Sequence, residues 1–403
     1  MIPFILAIFL IVGQTVYAQI QTDKNSSIDF MDNSVFEVMN EIENNNLGLQ
    51  TARHEMQAMV LDSKSENNLS DPKISYASLY NSKRSGESQG ELTIVQEFDF
   101  PTAYIKRNQY NKQITDSEAI RYSIIRREVL LEAQLLCIQI IGLNRESDLL
   151  KMLIKHADTL INRCNIRLQA GDANILEVNR TRLELMGLRT ELANNEAEHR
   201  TALQRLIAMN GNKPLSINSC IYPQISSLPS YEVLCDEILP LNGELQQAKS
   251  NQKSAAIQIA VKQMECLPKL EIGYRRNTSP TEQFNGFIIG GSIPIFSNTN
   301  KIKAARARLH GAEARNEELF IQVESELQSL YNEARQLEYA MNAYDLPLMD
   351  ENFVLLNSAL NGGELSWHQY FTELEVLVRR KLSFLQIECR YHQLMARIYA
   401  DKL

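Results

Sequence analysis

The chain has 403 residues, a formal net charge of −8 and 44% hydrophobic residues. The acidic surplus argues against nucleic acid as a partner, since nucleic acid selects a basic face. Six cysteines, at 137, 164, 220, 235, 266 and 389, are scattered without metal-ligand spacing. No Gly-rich phosphate loop and no Ser/His/Asp, Cys/His or paired-carboxylate arrangement stands out, so the residues call for no cofactor, no metal and no catalytic group.

In chain order, residues 1–18 read as a secretion signal. Ile2 to Val12 is apolar, and Val16-Tyr17-Ala18 gives a small-residue end before Gln19. A membrane anchor is the alternative, although the apolar run is well short of the ~20 residues a spanning helix needs. Residues 29–67 are helical in pattern, with Asp29 and Asp32 as caps, and Asp71-Pro72 closes the segment. Ile74, Tyr76 and Tyr80 then alternate with Ser75, Ala77 and Leu79, giving a strand over about 73–80. After a polar turn, Asn81 to Gly90, the residues Leu92, Ile94, Phe98 and Phe100 mark a second strand over about 91–100.

Thr102 to Leu168 contains no proline and one glycine, Gly142. A helix over 102–168 would extend roughly 100 Å at 1.5 Å per residue. Ala170-Gly171-Asp172 ends it, and a second helix covers 172–210. Met209 to Pro240 carries several prolines and reads as an irregular connector, 211–241, in which Cys220 and Cys235 are either paired or free.

The pattern then repeats about 195 residues on, Pro268-Lys269 matching Pro72-Lys73. A helix over 242–265 leads to strands over about 269–276 and 286–296. A helix over 299–361, a tip at Gly362-Gly363-Glu364 and a helix over 364–402 follow. The mature chain thus divides into a first repeat, 19–210, the connector, and a second repeat, 242–403.

Period-two segments with aromatic ends read as membrane strands or as half-buried strands of a soluble sheet. Ile124 to Leu143 is no membrane helix, since it carries Arg126, Arg127, Glu128 and Glu132. Four strands cannot close a membrane barrel, whose minimum is about eight, so strands would be pooled between copies; a dimer reaches only that minimum, and the trimer, with twelve, is the better fit. If Phe98, Leu270 and Ile272 face lipid, Glu97, Asp99 and Glu271 face the lumen, or else pack loops at its mouth. Seven-residue lines (Val178, Leu185, Leu192, Leu206; Leu309, Val323, Leu330, Leu337; Phe371, Val378, Leu385) favour helices packed side by side. His199 and His392 extend two of these lines, either as metal-binding rings or as hydrogen-bonded seam residues.

The signal, the duplicated strand–loop–strand and the run Ile293-Pro294-Ile295-Phe296 into Lys301-Ile302-Lys303-Ala304-Ala305 resemble the TolC-like outer-membrane efflux proteins. So does the tip Arg167-Leu168-Gln169-Ala170-Gly171-Asp172. The resemblance runs from about residue 29 to 402. It implies a mainly α chain with a small membrane β part, whose homotrimer forms a twelve-stranded outer-membrane β-barrel continuous with a periplasmic α-helical barrel. It further implies a passive efflux duct, without enzymatic activity, joined by a periplasmic adaptor to an inner-membrane pump of RND or ABC type.

Under the same resemblance the tips Leu168, Ala170, Gly171, Asp172 and Leu360, Gly362, Gly363, Glu364, Leu365 contact the adaptor. The family's aperture aspartates fall on Gln369 and Thr372, its latching arginine on Leu365, and the acidic partner on Glu177. Trp367, Tyr370 and Phe371 are then the expected gate. The competing reading is a periplasmic coiled-coil adaptor or scaffold that never enters the membrane, for which two aromatic-ended strand pairs would be superfluous.

Overall fold

A computed structural model describes residues 33–80, 88–171, 174–224, 227–279, 282–294 and 300–403. The secretion signal, the caps at Asp29 and Asp32, Asp172, Ile295 and Phe296 lie outside these residues. The helices are α1 (Asn33–Asn45), α2 (Leu47–Ser65), α3 (Pro101–Ala170), α4 (Ile175–Met209), α5 (Tyr231–Ile238), α6 (Gly243–Met264), α7 (Lys301–Asn342), α8 (Leu346–Gly362) and α9 (Trp367–Ile398). The strands are β1 (Lys73–Tyr80), β2 (Ser88–Phe98), β3 (Lys269–Thr278) and β4 (Gln283–Ser292). Contacts divide the chain into two compact units that cut across the repeats. One comprises Gln50–Ile125 and Leu239–Glu324; the other comprises Met1–Leu49, Arg126–Ile238 and Ser325–Leu403. The helices α3 and α7 each run through both.

The first of these units carries the sheet, an antiparallel array in the order β1-β2-β3-β4. The β2–β3 ladder joins the two repeats, with Phe98 opposite Leu270 and Ile94 opposite Tyr274. Because side chains alternate along each strand, the register gathers Ile74, Tyr76, Leu92, Ile94, Phe98, Leu270, Ile272, Tyr274, Phe287 and Ile289 on one face. That face is largely exposed: Tyr76 is 71% exposed and Phe287 and Ile289 are 87% exposed, while Leu92, Phe98 and Tyr274 are half-buried. The opposite face holds Lys73, Glu91, Thr93, Glu97, Glu271 and Arg275, alongside Leu79, Val95, Phe284 and Ile288. Glu97 stands directly across from Glu271, and Lys73 relieves the like-charge pair by bonding Glu97 at 2.5 Å. Arg275 pairs with Glu91, while Arg107 and Lys269 both reach Asp99, at 2.6 and 3.3 Å.

The helices of this unit meet along polar seams. Ser63 donates to Asn111, Gln113 to Ser250, Gln247 to Ser117 and Asn316 to Gln252. Each of these side chains thus finds a polar partner on the neighbouring helix.

In the other unit, α1 buries Val35, Val38, Met39 and Ile42 at i, i+3, i+4, i+7 spacing against Leu130, Ala133, Cys137 and Ile141 of α3 and Leu206 of α4. Further along α3, Leu150, Leu153 and Ala157 meet Leu185 and Leu188, and then Leu160 meets Tyr370, Phe371 and Leu374. The α4 line Val178, Leu185 and Leu206 is buried, while Leu192 is half-buried. Its second line, Thr181, Leu188, Asn195 and Ala202, is buried as well, and its mixed chemistry hides it from a count of apolar heptads. Arg126 forks onto Glu43 at 2.8 and 2.7 Å and donates to the Leu403 carbonyl at 2.6 Å, tying the last residue to α3.

Three element expectations change. The single helix over 29–67 is two helices parted at Asn46, whose side chain caps α2 through the Leu49 amide and donates to the Met209 carbonyl. The helix over 299–361 breaks after Asn342. Asp345 caps α8, and Pro347 sits in its first turn, where the missing N–H costs no bond. The connector is not wholly irregular, since it holds α5, whose Leu234 and Ile238 are buried. Cys220 and Cys235 are both free thiols, and Cys220 lies 3.5 Å from the Asp148 carboxylate.

Candidate functional site: the paired helix tips

The second tip is built by backbone chemistry. Gly363 adopts φ +74°, a left-handed turn that glycine enters without steric cost. The Glu364 N–H then bonds the Ala359 carbonyl at 2.9 Å and the Gly363 N–H bonds Leu360 at 3.3 Å, the double closure of a Schellman stop. Ser366 begins α9 with a reciprocal capping box to Gln369. The first tip repeats the logic with Gly171 at φ +81° and Asn174 accepting from the Leu176 amide.

The two tips lie side by side within one chain. Arg163 of α3 donates to Asn361 of α8, and the Arg167 guanidinium sits 5.6 Å from the Trp367 ring centroid. Arg180 of α4 donates to His368 Nδ1 at 2.8 Å, so that nitrogen must be unprotonated. Behind these, Tyr370 is fully buried. Its hydroxyl donates to Asn357 Oδ1 at 2.9 Å, and Asn357 is oriented by its own bond to the Phe353 carbonyl at 2.7 Å. The single phenol proton being so used, His156 Nε2 is the donor across its 2.5 Å contact with Tyr370. Burial, and then Arg163, hold the His156 pKa below its usual range. One phenol thus ties α3, α8 and α9 together.

This geometry revises the expected gate. Tyr370 and Phe371 point into the helix pack, and Trp367 is half-buried. Within this chain all three pack against neighbouring helices. Gln369 is exposed but turned back onto Ser366, accepting from its N–H at 3.1 Å. Thr372 is exposed, as are Ala170, Gly171, Gly362, Gly363 and Glu364, while Leu168, Leu360 and Leu365 are half-buried. Glu177 lies 3.9 Å from Arg167, so the acidic position has its partner inside its own tip and not on Leu365. His156, Arg163, Arg180, Asn357 and His368 were not singled out from the sequence. Their only signal is the fold itself, which brings together residues as much as 214 positions apart.

His199 is half-buried on α4. His392 stacks on Tyr222 with ring centroids 4.2 Å apart, and burial beside Arg145 lowers its pKa to about 4. Among the described residues, no group of three His, Cys, Asp or Glu side chains is arranged to hold a metal ion. None of their helices is long and apolar enough to cross a membrane.

No protein-family model and no curated protein matches the chain in sequence. Solved structures do match in shape. The open-state MtrE outer membrane channel of Neisseria gonorrhoeae aligns over 93% of this chain and 89% of its own, with TM-score 0.76 and 13% identity. VceC, an outer membrane protein of Vibrio cholerae, aligns over 91% and 96%, with TM-score 0.72 and 13% identity. The CmeC outer membrane channel of Campylobacter jejuni aligns over 94% and 90%, with TM-score 0.70 and 12% identity. This is the TolC-like outer-membrane channel fold. At such low identity the likeness concerns architecture, with the long helices and the four-strand sheet in common, and the side chains at the tips are this chain's own.

Proposed function

We propose that the protein is the outer-membrane duct of a tripartite export system. Three copies pool their four strands each into a twelve-stranded barrel, with the apolar face toward lipid and the face of Glu97 and Glu271 toward the lumen, where Asp99 marks its inner end. The observation that carries this reading is a sheet whose two outer strands, β1 and β4, have open edges among the described residues and whose apolar face is largely exposed. Lipid tolerates no unpaired strand edge, so such a sheet requires closure with further strands. The helices continue the passage through the periplasm, and the paired tips meet a periplasmic adaptor and an inner-membrane pump, which supplies the energy. The chain itself is passive and performs no chemistry on its cargo. Trp367, Tyr370 and Phe371 serve the aperture from behind, by holding the helix that presents Thr372.

Fractionation of cells expressing the tagged chain tests this. A band near three times the monomer mass in the outer-membrane fraction, lost on boiling, is the expected result. A soluble periplasmic monomer or dimer would overturn it in favour of a coiled-coil scaffold.

A further inference from the structure

The helix α7 opens with Lys301, Lys303, Arg306 and Arg308, all exposed, and no acidic residue precedes Glu313. None of the four basic side chains forms an ion pair among the described residues. Their placement works against the helix. The N-terminus of a helix carries partial positive charge and is steadied by acids. Four other helices follow that rule, with Glu177, Glu232 and Glu244 in the first turns of α4, α5 and α6, and Asp345 capping α8, while α1, α2, α3 and α9 start with neither acid nor a cluster of four cations. Four cations at the start of one helix repel one another and its dipole unless something anionic meets them.

Position says what that is. Only Ile293 to Asn300 separate α7 from the end of β4, and α3, the other helix leaving the sheet, also starts without an acid and carries Lys106 and Lys112. At this end of the sheet Glu97 is paired with Lys73 and Asp99 with Arg107 and Lys269, and Glu271 lies across the ladder from Glu97. The four cations at the start of α7 have no acidic partner among the described residues.

We propose that the start of α7 docks on the anionic phospholipid headgroups of the leaflet at the helix end of the sheet. This rests on the membrane reading above. A headgroup layer spans ~5–8 Å on each side of the hydrocarbon core. The first eight residues of α7 rise ~12 Å, and long Lys and Arg stems extend the reach of their charges back toward the headgroups. At 100° per residue, Lys301 and Arg308 share one flank of the seam made by buried Ala305 and half-buried Leu309, and Lys303 and Arg306 the other. Either flank can therefore meet the leaflet.

The test uses full-length protein in nanodiscs of phosphatidylcholine alone or with a minority of phosphatidylglycerol, with the lipids that stay bound after detergent release counted by native mass spectrometry. Phosphatidylglycerol should be enriched over its bulk share, and the enrichment should fall as salt is raised. Removing each headgroup-facing charge should weaken the preference about fivefold. Lys301→Gln with Arg308→Gln, or Lys303→Gln with Arg306→Gln, should therefore lose it, whereas Lys151→Gln with Lys155→Gln and Arg182→Gln in the other unit should keep it. Unchanged enrichment in both α7 pairs overturns the inference, as does a change in ion selectivity of the channel with lipid retention intact, which would put the charges in the lumen. Insertion into both nanodiscs without enrichment refutes this inference alone. Insertion into neither refutes the membrane reading along with it.

Discussion

Replacing Tyr370 by Phe removes one oxygen from a site the structure describes closely. The ring stays, so packing against Leu160, Phe371 and Leu374 is kept. What is lost is the bond from His156 at 2.5 Å and the bond to Asn357 at 2.9 Å. A buried polar group left without a partner costs about 1–3 kcal/mol. Both orphaned groups are half-buried and partly reached by water, so the pair together should cost about 1.5–3 kcal/mol. At 1.4 kcal/mol per factor of ten, local opening of the tip should become about 10- to 100-fold more frequent. Hydrogen exchange reads this directly at the amides of Trp367 to Leu374, whose protection should fall by that factor while amides near Leu130 to Ile141 stay unchanged. Thr372→Val is the control. It removes an exposed hydroxyl that donates to the His368 carbonyl in its own helix, and exchange should barely move. A change of less than about threefold in Tyr370→Phe would refute the view that this phenol ties the three helices. If the tie also holds the aperture, Trp367→Ala with Tyr370→Ala should raise single-channel conductance and drug leak.

Three further outcomes are expected. His392 is held neutral, with its pKa lowered to about 4 by burial and then by Arg145. Between that value and the unfolded value near 6.5 the unfolded chain binds the extra proton, so stability falls as pH falls through the window, by at most about 1.4 kcal/mol per unit. Thermal unfolding of His392→Gln should show a smaller acid sensitivity between those limits than the parent, and equal sensitivity would refute the assignment. At Gly273 an added Cβ would lie 2.6 Å from the Ile94 carbonyl oxygen of the neighbouring strand. Gly273→Val should therefore abolish the heat-sensitive oligomer on unboiled gels, whereas Gly286→Val, where a Cβ meets nothing within 4 Å, should keep it. Gly363→Ala meets open space but at φ +74°. Backbone strain alone should cost about 1 kcal/mol, read as roughly fivefold faster exchange at the Glu364 and Leu365 amides, and an unchanged rate would argue against a rigid left-handed stop.

Local rules carry well where one residue's neighbours in sequence are also its neighbours in space. Strand β1 occupies the alternating segment expected for it, because period-two patterning and the Asp71-Pro72 stop act within a few residues. The tips were legible for the same reason, since a glycine at a helix end states its own backbone conformation. Along α3 the absence of proline over Thr102 to Leu168 sufficed for one uninterrupted helix. The break before α8 was missed because proline in a helical pattern either ends a helix or begins one, and the cap that decides, Asp345, looks like any surface acid.

What the sequence determined by itself was therefore the inventory: a duplicated plan, the strands and long helices, the glycine stops and one apolar line on each of α4, α7 and α9. Only the tertiary structure decided which side chains meet. The direction in which Tyr370 points depends on where α3 and α8 lie relative to α9, and that relation is set by packing between segments more than two hundred residues apart. The same holds for Gln369, turned back as a cap, and for the order β1-β2-β3-β4 that places the two hairpins side by side. Periodicity assigns a residue to a face of its own element, and the identity of what covers that face is a property of the whole chain.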